Sequence, residues 1–136
     1  MTIDQAIYYY MVSLGFNIRY GSAEGEEFPY YVFNKITDTE RPNSLCQEQG
    51  DSGQAAFIFE GYVGGQAQAA GADDALTYVQ TLHDIVNKLK GVIGTAPNQF
   101  RIWNNVTSGV TTVQRSSETL LIWGAEFNTI IWWEIV

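Results

Sequence analysis

The strongest constraint in this chain is its closing run, Thr119 to Val136. Leu121, Trp123, Ala125, Phe127, Ile131, Trp133 and Ile135 recur there at a period of two. Successive side chains of a strand point to opposite faces, so this spacing predicts one long strand with an apolar face that must be covered. The opposite face is mixed, with Glu126, Asn128 and Glu134 beside Ile122, Ile130 and Trp132. Whatever else the chain forms has to supply a layer that packs on that strand.

Two segments have the helical spacing such a layer needs. Thr2-Ile3-Asp4-Gln5 carries the capping-box pattern, and Ile3, Ala6, Ile7, Tyr10, Met11 and Leu14 follow on one face with Gly15 as a stop, which predicts a helix over 3–14. A second helix is expected from Asp73 to Lys90. Asp73 would be its cap, Asp74 would lie in its first turn, and Lys88 and Lys90 in its last, with Gly91 just beyond. Its stripe is Leu76, Val79, Leu82, Val86 and Leu89, flanked by Tyr78 and Ile85.

Strand character fills most of the remainder. Asn17 to Tyr20 reads as a short strand, followed by a Gly/Glu-rich loop from Gly21 to Glu27 and, led in by Phe28-Pro29, a strand from Tyr30 to Ile36. Ala55 to Val63 alternates again, with Ala55, Phe57, Phe59 and Val63 on one face and Glu60 and Tyr62 on the other. Gly64 to Gly71 reads as a linker-like turn and Thr95 to Asn98 as a loop, while Phe100 to Trp103 and Val110 to Arg115 read as strands. Between these, Thr37 to Gln54 offers almost nothing to bury, and a polar segment of that length reads as a docking loop with Glu40, Leu45, Glu48 and Asp51 as its candidate contacts. The order of elements predicts an α+β fold in a single domain over 1–136, with a mostly antiparallel sheet and two main helices packed on one face.

Composition excludes several function classes. Seven basic residues against fifteen acidic ones give a net charge of −8, the reverse of what gripping nucleic acid by its phosphates requires. Charged residues make up only 16% of the chain and hydrophobic ones 46%, which argues against disorder. Cys46 is the single cysteine, so an intramolecular disulfide and a thiolate-built metal site are both excluded. No basic-then-apolar export pattern opens the chain and no apolar run is long enough to span a bilayer, so neither a membrane nor secretion is expected. On that basis the acceptor pattern Asn105-Val106-Thr107 reads as chance.

Catalytic apparatus is not expected, and neither is a cofactor or a metal. His83 is the single histidine and sits at the edge of a helical stripe without a nucleophile motif beside it. Gly61-Tyr62-Val63-Gly64-Gly65 lacks both the Walker lysine and the dinucleotide spacing. The carboxylate pairs Glu26-Glu27 and Asp73-Asp74 read as a solvated loop and a helix start. In a chain with 14% aromatic residues, Trp103, Trp132 and Tyr62 are instead candidates for a subunit interface.

The order of segments, together with Phe28-Pro29-Tyr30-Tyr31-Val32 leading one strand and Leu121-Ile122-Trp123-Gly124-Ala125-Glu126-Phe127 opening the last, resembles the tail terminator family of lambda-like tailed bacteriophages. That resemblance spans nearly the whole chain. It implies a structural virion protein, assembled in the host cytoplasm, whose hexameric ring caps the finished tail tube, ends its polymerisation and presents a joining surface to the head. The implied partners are copies of itself, tail-tube protein below and a head connector or neck protein above, with DNA passing through the lumen unbound. A head-completion connector of the same neck and a small-ligand-binding α+β domain are the competing expectations.

Overall fold

A computed structural model describes residues 2–22, 28–41, 52–64, 68–95, 98–116 and 121–136. Helix α1 covers Ile3–Ser13, β1 Ile18–Tyr20, β2 Tyr30–Arg41, β3 Ser52–Gly64 and α2 Gln68–Asn87. Strands β4 (Gly91–Thr95), β5 (Asn98–Thr107), β6 (Thr111–Ser116) and β7 (Leu121–Ile135) follow. They form one sheet in the order β1-β2-β3-β7-β5-β4, with β6 pairing β7 beside β5. Only β1 and β2 run parallel; every other described pair is antiparallel. The α+β architecture expected from the sequence is the one observed.

The expected closing strand is β7, and it organises the sheet. Along one edge it pairs with β3 from Ile122 to Glu134; along the other it pairs with β6 over Leu121–Glu126 and with β5 over Thr129–Ile135. The apolar face read from the sequence is buried at Ala125, Phe127, Ile131 and Trp133, with Thr129 between them. Across the middle of the sheet the register places Phe33, Phe59 and Phe127 side by side on β2, β3 and β7. Their rings stack at 5.3 and 5.2 Å, each pair within 9° of parallel, which fixes the register of three strands with one row of side chains.

Helix α1 forms as its pattern predicts. The Thr2 N–H donates to Gln5 Oε1 at 3.0 Å and the Gln5 N–H to Thr2 Oγ1 at 3.4 Å, closing the capping box. Gly15, at φ +91°, ends the helix, with Gly15 N–H donating to Val12 O and Phe16 N–H to Met11 O. Ile3, Ala6, Ile7 and Met11 are buried, whereas Leu14, expected on the same stripe, is 47% exposed because it lies at the end of the last turn. Lys35 ties the first turn to β2, with its Nζ 3.4 Å from Asp4 and 3.0 Å from Asp38.

Several boundaries differ from the sequence reading: β5 runs from Asn98 to Thr107, beyond the Phe100–Trp103 expected, and takes in the end of the loop expected over Thr95–Asn98. Thr37–Arg41 and Ser52–Gln54 are strand, not loop: they extend β2 and β3 as a paired hairpin beyond a bulge at Lys35/Thr37, so the polar segment shrinks to residues 42–51, outside the described residues. The Gly64–Gly71 turn and the Asp73 cap also give way, since Gly64 still belongs to β3 and α2 begins at Gln68, leaving Asp73 and Asp74 inside the helix and Lys88 and Lys90 beyond its end. An alanine-rich start (Gln68-Ala69-Ala70-Gly71-Ala72) continues a helix readily, and Gly71 lets it approach the sheet: a Cβ there would sit 2.3 Å from the Trp123 ring. Finally, β4 was not anticipated, because its two glycines hid a strand that α1 covers.

The second helix packs on β3 and β7 through Ala75, Val79, Leu82 and Val86, all buried, with Leu89, just past its end, buried as well. It approaches β3 closely at Gly61, where a Cβ would meet Val79 at 2.5 Å and the Tyr31 and Tyr78 rings at 3.0 and 3.1 Å. Tyr31 and Tyr78 lie stacked at 4.1 Å and 5°, and the Tyr31 hydroxyl donates to the Tyr78 carbonyl at 2.6 Å. At the far end the Asn105 side chain donates to the Val86 and Leu89 carbonyls at 3.1 and 2.8 Å, occupying acceptors that a helix end leaves open. The residue that matched an acceptor pattern in the sequence thus caps α2.

Replacing Gly61 with Ala should cost about 1–3 kcal/mol, the range for overpacking a filled core, read as a lowered urea midpoint; an unchanged midpoint would show that α2 does not approach β3 this closely. Burial holds the Tyr31 phenol up to about 12, although its hydrogen bond with Tyr78 works the other way. Because the folded value lies above the ordinary 10.0, this group's share of stability is complete below pH 10 and is lost as pH rises towards 12. The unfolding midpoint should therefore fall across that window in the native protein and fall less in Tyr31→Phe. Equal slopes would contradict this.

Candidate functional site

Both helices pack on the same face of the sheet, so among the described residues its other face carries no helix. In the middle of that face Ala56, Ile130 and Val106 lie in one row across β3, β7 and β5, with Ile58 and Trp132 beside them. Trp103 joins this group because the β5 register shifts between Ile102 and Asn104, and the extra residue of the bulge re-aims its side chain. Its ring lies 6.2 Å from that of Trp132 at 48°; Trp103 is 54% exposed and Val106 57%. Neither helix covers this surface.

Polar groups border it. Glu60 and Glu126 stand directly opposite each other on β3 and β7, an arrangement that repels, and the Tyr62 hydroxyl donates to the Glu60 carboxylate. At the other end Arg101 and Glu134 pair at 2.8 Å.

Trp103 and Trp132, two of the three interface candidates, are therefore neighbours on one open face. Tyr62 is not with them: it is 5% exposed, with its ring against Gly124, where a Cβ would come within 2.6 Å, and it has almost no surface to offer a partner. Of the docking-loop candidates, Glu40 lies in β2 paired with Gly53, while Leu45, Glu48 and Asp51 lie outside the described residues. Ser52 is 5% exposed between β2 and β7 and belongs to the sheet.

The outer surface of α1 was not singled out in the sequence. Tyr9, Val12 and Leu14 are 59%, 43% and 47% exposed, and Val92 of β4 beside them is 48% exposed. A groove of about 500 Å³ runs between the two elements, lined by Tyr9, Tyr10, Ser13 and Val92 among others. The outward apolar residues at Tyr9 and Val12 were the available signal, because they fall off the buried stripe of the same helix.

A larger cleft, about 640 Å³, opens between α2 and the adjoining ends of β2 and β3. Phe28, Pro29, Val63 and Gly64 form one wall; Asp74, Thr77, Tyr78 and Thr81 form the other. Burial and the adjacent Tyr31 push the Tyr78 phenol well above its usual range, so it stays neutral. The volume is within the range of ligand sites.

His83 Nε2 donates to the Ser108 carbonyl at 2.9 Å while its ring meets Phe127 edge-on at 5.1 Å, so the histidine joins α2 to the sheet. Among the described residues, no group of three or more His, Cys, Asp or Glu side chains is placed to hold a metal ion, and no helix is long and apolar enough to cross a membrane.

No protein-family model matches the chain, and no curated protein matches it. A solved structure aligns over 94% of both chains at 7% identity with a TM-score of 0.45, a likeness too distant to carry an argument about function.

Proposed function

We propose that the chain is a structural protein of a phage tail that assembles as a ring, ends polymerisation of the tail tube and offers the joining surface to the head. The observation that carries this reading is the uncovered sheet face around Trp103, Trp132, Ile130 and Val106. Contiguous apolar surface rimmed by polar groups marks protein contacts, and tryptophan is enriched at their energetic centres.

A closed ring needs two unlike surfaces on each subunit, so that the head of one copy meets the tail of the next. The open sheet face supplies one. The outer side of α1 with Val92 supplies a second, on the helix layer across the sheet. A net charge of −8 further suits a wall that DNA must pass without binding. The resemblance noted in the sequence adds the hexameric state and the tube and neck partners.

Light scattering over a wide concentration range, with and without tail-tube protein, tests the reading. A hexamer, alone or induced by the tube protein, is the expected mass. Trp103→Asp should raise the concentration for half-assembly by about 30-fold or more, the equivalent of losing a hot spot of about 2 kcal/mol. A strict monomer indifferent to tube protein, or assembly untouched by Trp103→Asp, would overturn it. Binding to portal protein in preference to tube protein would move the chain to the head side of the same neck.

A further inference from the structure

The cleft beside α2 lies apart from both surfaces assigned to assembly, and its chemistry is one-sided. Two aromatic rings form its walls. Phe28 lies over Gly64, where a Cβ would come within 2.6 Å of the ring, and stacks on Tyr30 at 5.3 Å and 25°. The Tyr78 ring is held by its stack on Tyr31, whose hydroxyl also fixes the Tyr78 backbone carbonyl. Neither ring is free to collapse into the space between them.

Polar lining comes from Asp74 and from the hydroxyls of Thr77 and Thr81, the last of which donates to the Thr77 carbonyl at 3.3 Å. Among the described residues, no basic side chain lines the cleft. Aromatic faces with a carboxylate and neutral acceptors, in a chain of net charge −8, are complementary to a cation and offer an anion nothing.

We propose that this cleft receives an arginine side chain presented by a protein partner. A planar guanidinium stacks on an aromatic face while its edge donates in two directions, which uses the Phe28 and Tyr78 walls and the Asp74 carboxylate together; a compact ammonium uses fewer of these contacts. A volume of about 640 Å³ exceeds one side chain and accommodates the flanking backbone as well. The exposed lip at Phe28, 38% accessible, leaves the entrance open to a side chain that arrives on another protein's surface.

The test is an amide chemical-shift titration with three short neutral-flanked peptides that differ at one central position: arginine, lysine or norleucine. Saturable shifts centred on Gly64, Thr77 and Tyr78 are expected with the arginine peptide, with affinity for the lysine peptide several-fold weaker. Asp74→Asn should weaken arginine binding by about fivefold, the equivalent of an ion pair near the surface. Phe28→Leu should weaken it while leaving the spectrum unchanged away from Tyr30 and Gly64, which the ring touches. Equal binding of the norleucine peptide would reduce the cleft to an apolar groove and overturn the proposal, as would the absence of saturable shifts or an Asp74→Asn variant that binds as well as the native chain. None of these readings depends on whether the chain forms a ring.

Discussion

The stacked phenylalanines Phe33, Phe59 and Phe127 hold the centre of the molecule. They occupy matching positions on β2, β3 and β7, so a slip of any one strand by a residue would move a ring to the opposite face and break the row. Once the three strands are registered, the rest of the sheet is placed by pairing: β5 and β6 share the second edge of β7, β4 follows β5 and β1 follows β2. The His83 ring sits edge-on to Phe127, which connects the same row to α2. Helix, register and core are thus determined by one set of contacts.

With both helices committed to that face, the sheet is left two-sided. The two helices among the described residues are too few to cover a seven-stranded sheet twice. Ordinary antiparallel sheets solve this by making the second face polar. Here the charged residues Glu60, Glu126, Arg101 and Glu134 are kept to its borders, and Ile130, Trp132, Val106 and Trp103 share the middle with the uncharged Gln54, Asn104 and Asn128. An apolar centre with a polar rim is how interfaces differ from solvated surface, and the β5 bulge that turns Trp103 towards Trp132 enlarges that centre.

Much of this was legible in the sequence, for identifiable reasons. The capping box at Thr2 and Gln5, the glycine stop at Gly15 and the alternation from Trp123 to Trp133 are local signals, and local chemistry decides them. Elements stabilised by neighbours were not legible. Thr37–Arg41 and Ser52–Gln54 are polar and read as loop, yet they pair with each other, and β3 there lies beside Trp132 and Trp133 of β7, which supply the apolar surface the segment lacks. Gly91 and Gly94 concealed β4 in the same way, since its burial comes from α1. Trp103 and Trp132 were chosen for residue type; their adjacency depends on a bulge that no spacing rule reveals. Tyr62 failed for a related reason, because an aromatic opposite a cross-strand glycine folds down on it instead of outwards.

The start of α2 shows how a boundary alters the meaning of a residue. With Asp73 as the cap, Asp74 would be one of the acids that favour a helix N-terminus, and its purpose would be complete there. Because the helix begins at Gln68, neither carboxylate has a terminus to stabilise, and the local argument for an acid at this position disappears. What remains is where the side chain lies, on the wall of a cleft with Tyr78 one turn further along the helix and Phe28 across from it. The same reach of α2 requires Gly71 against Trp123 and Gly61 against Val79, so the helix is held down on the sheet at both points and the cleft walls are set by backbone contact. A site held this way is preorganised, and an occupant meets its geometry without the cost of arranging it.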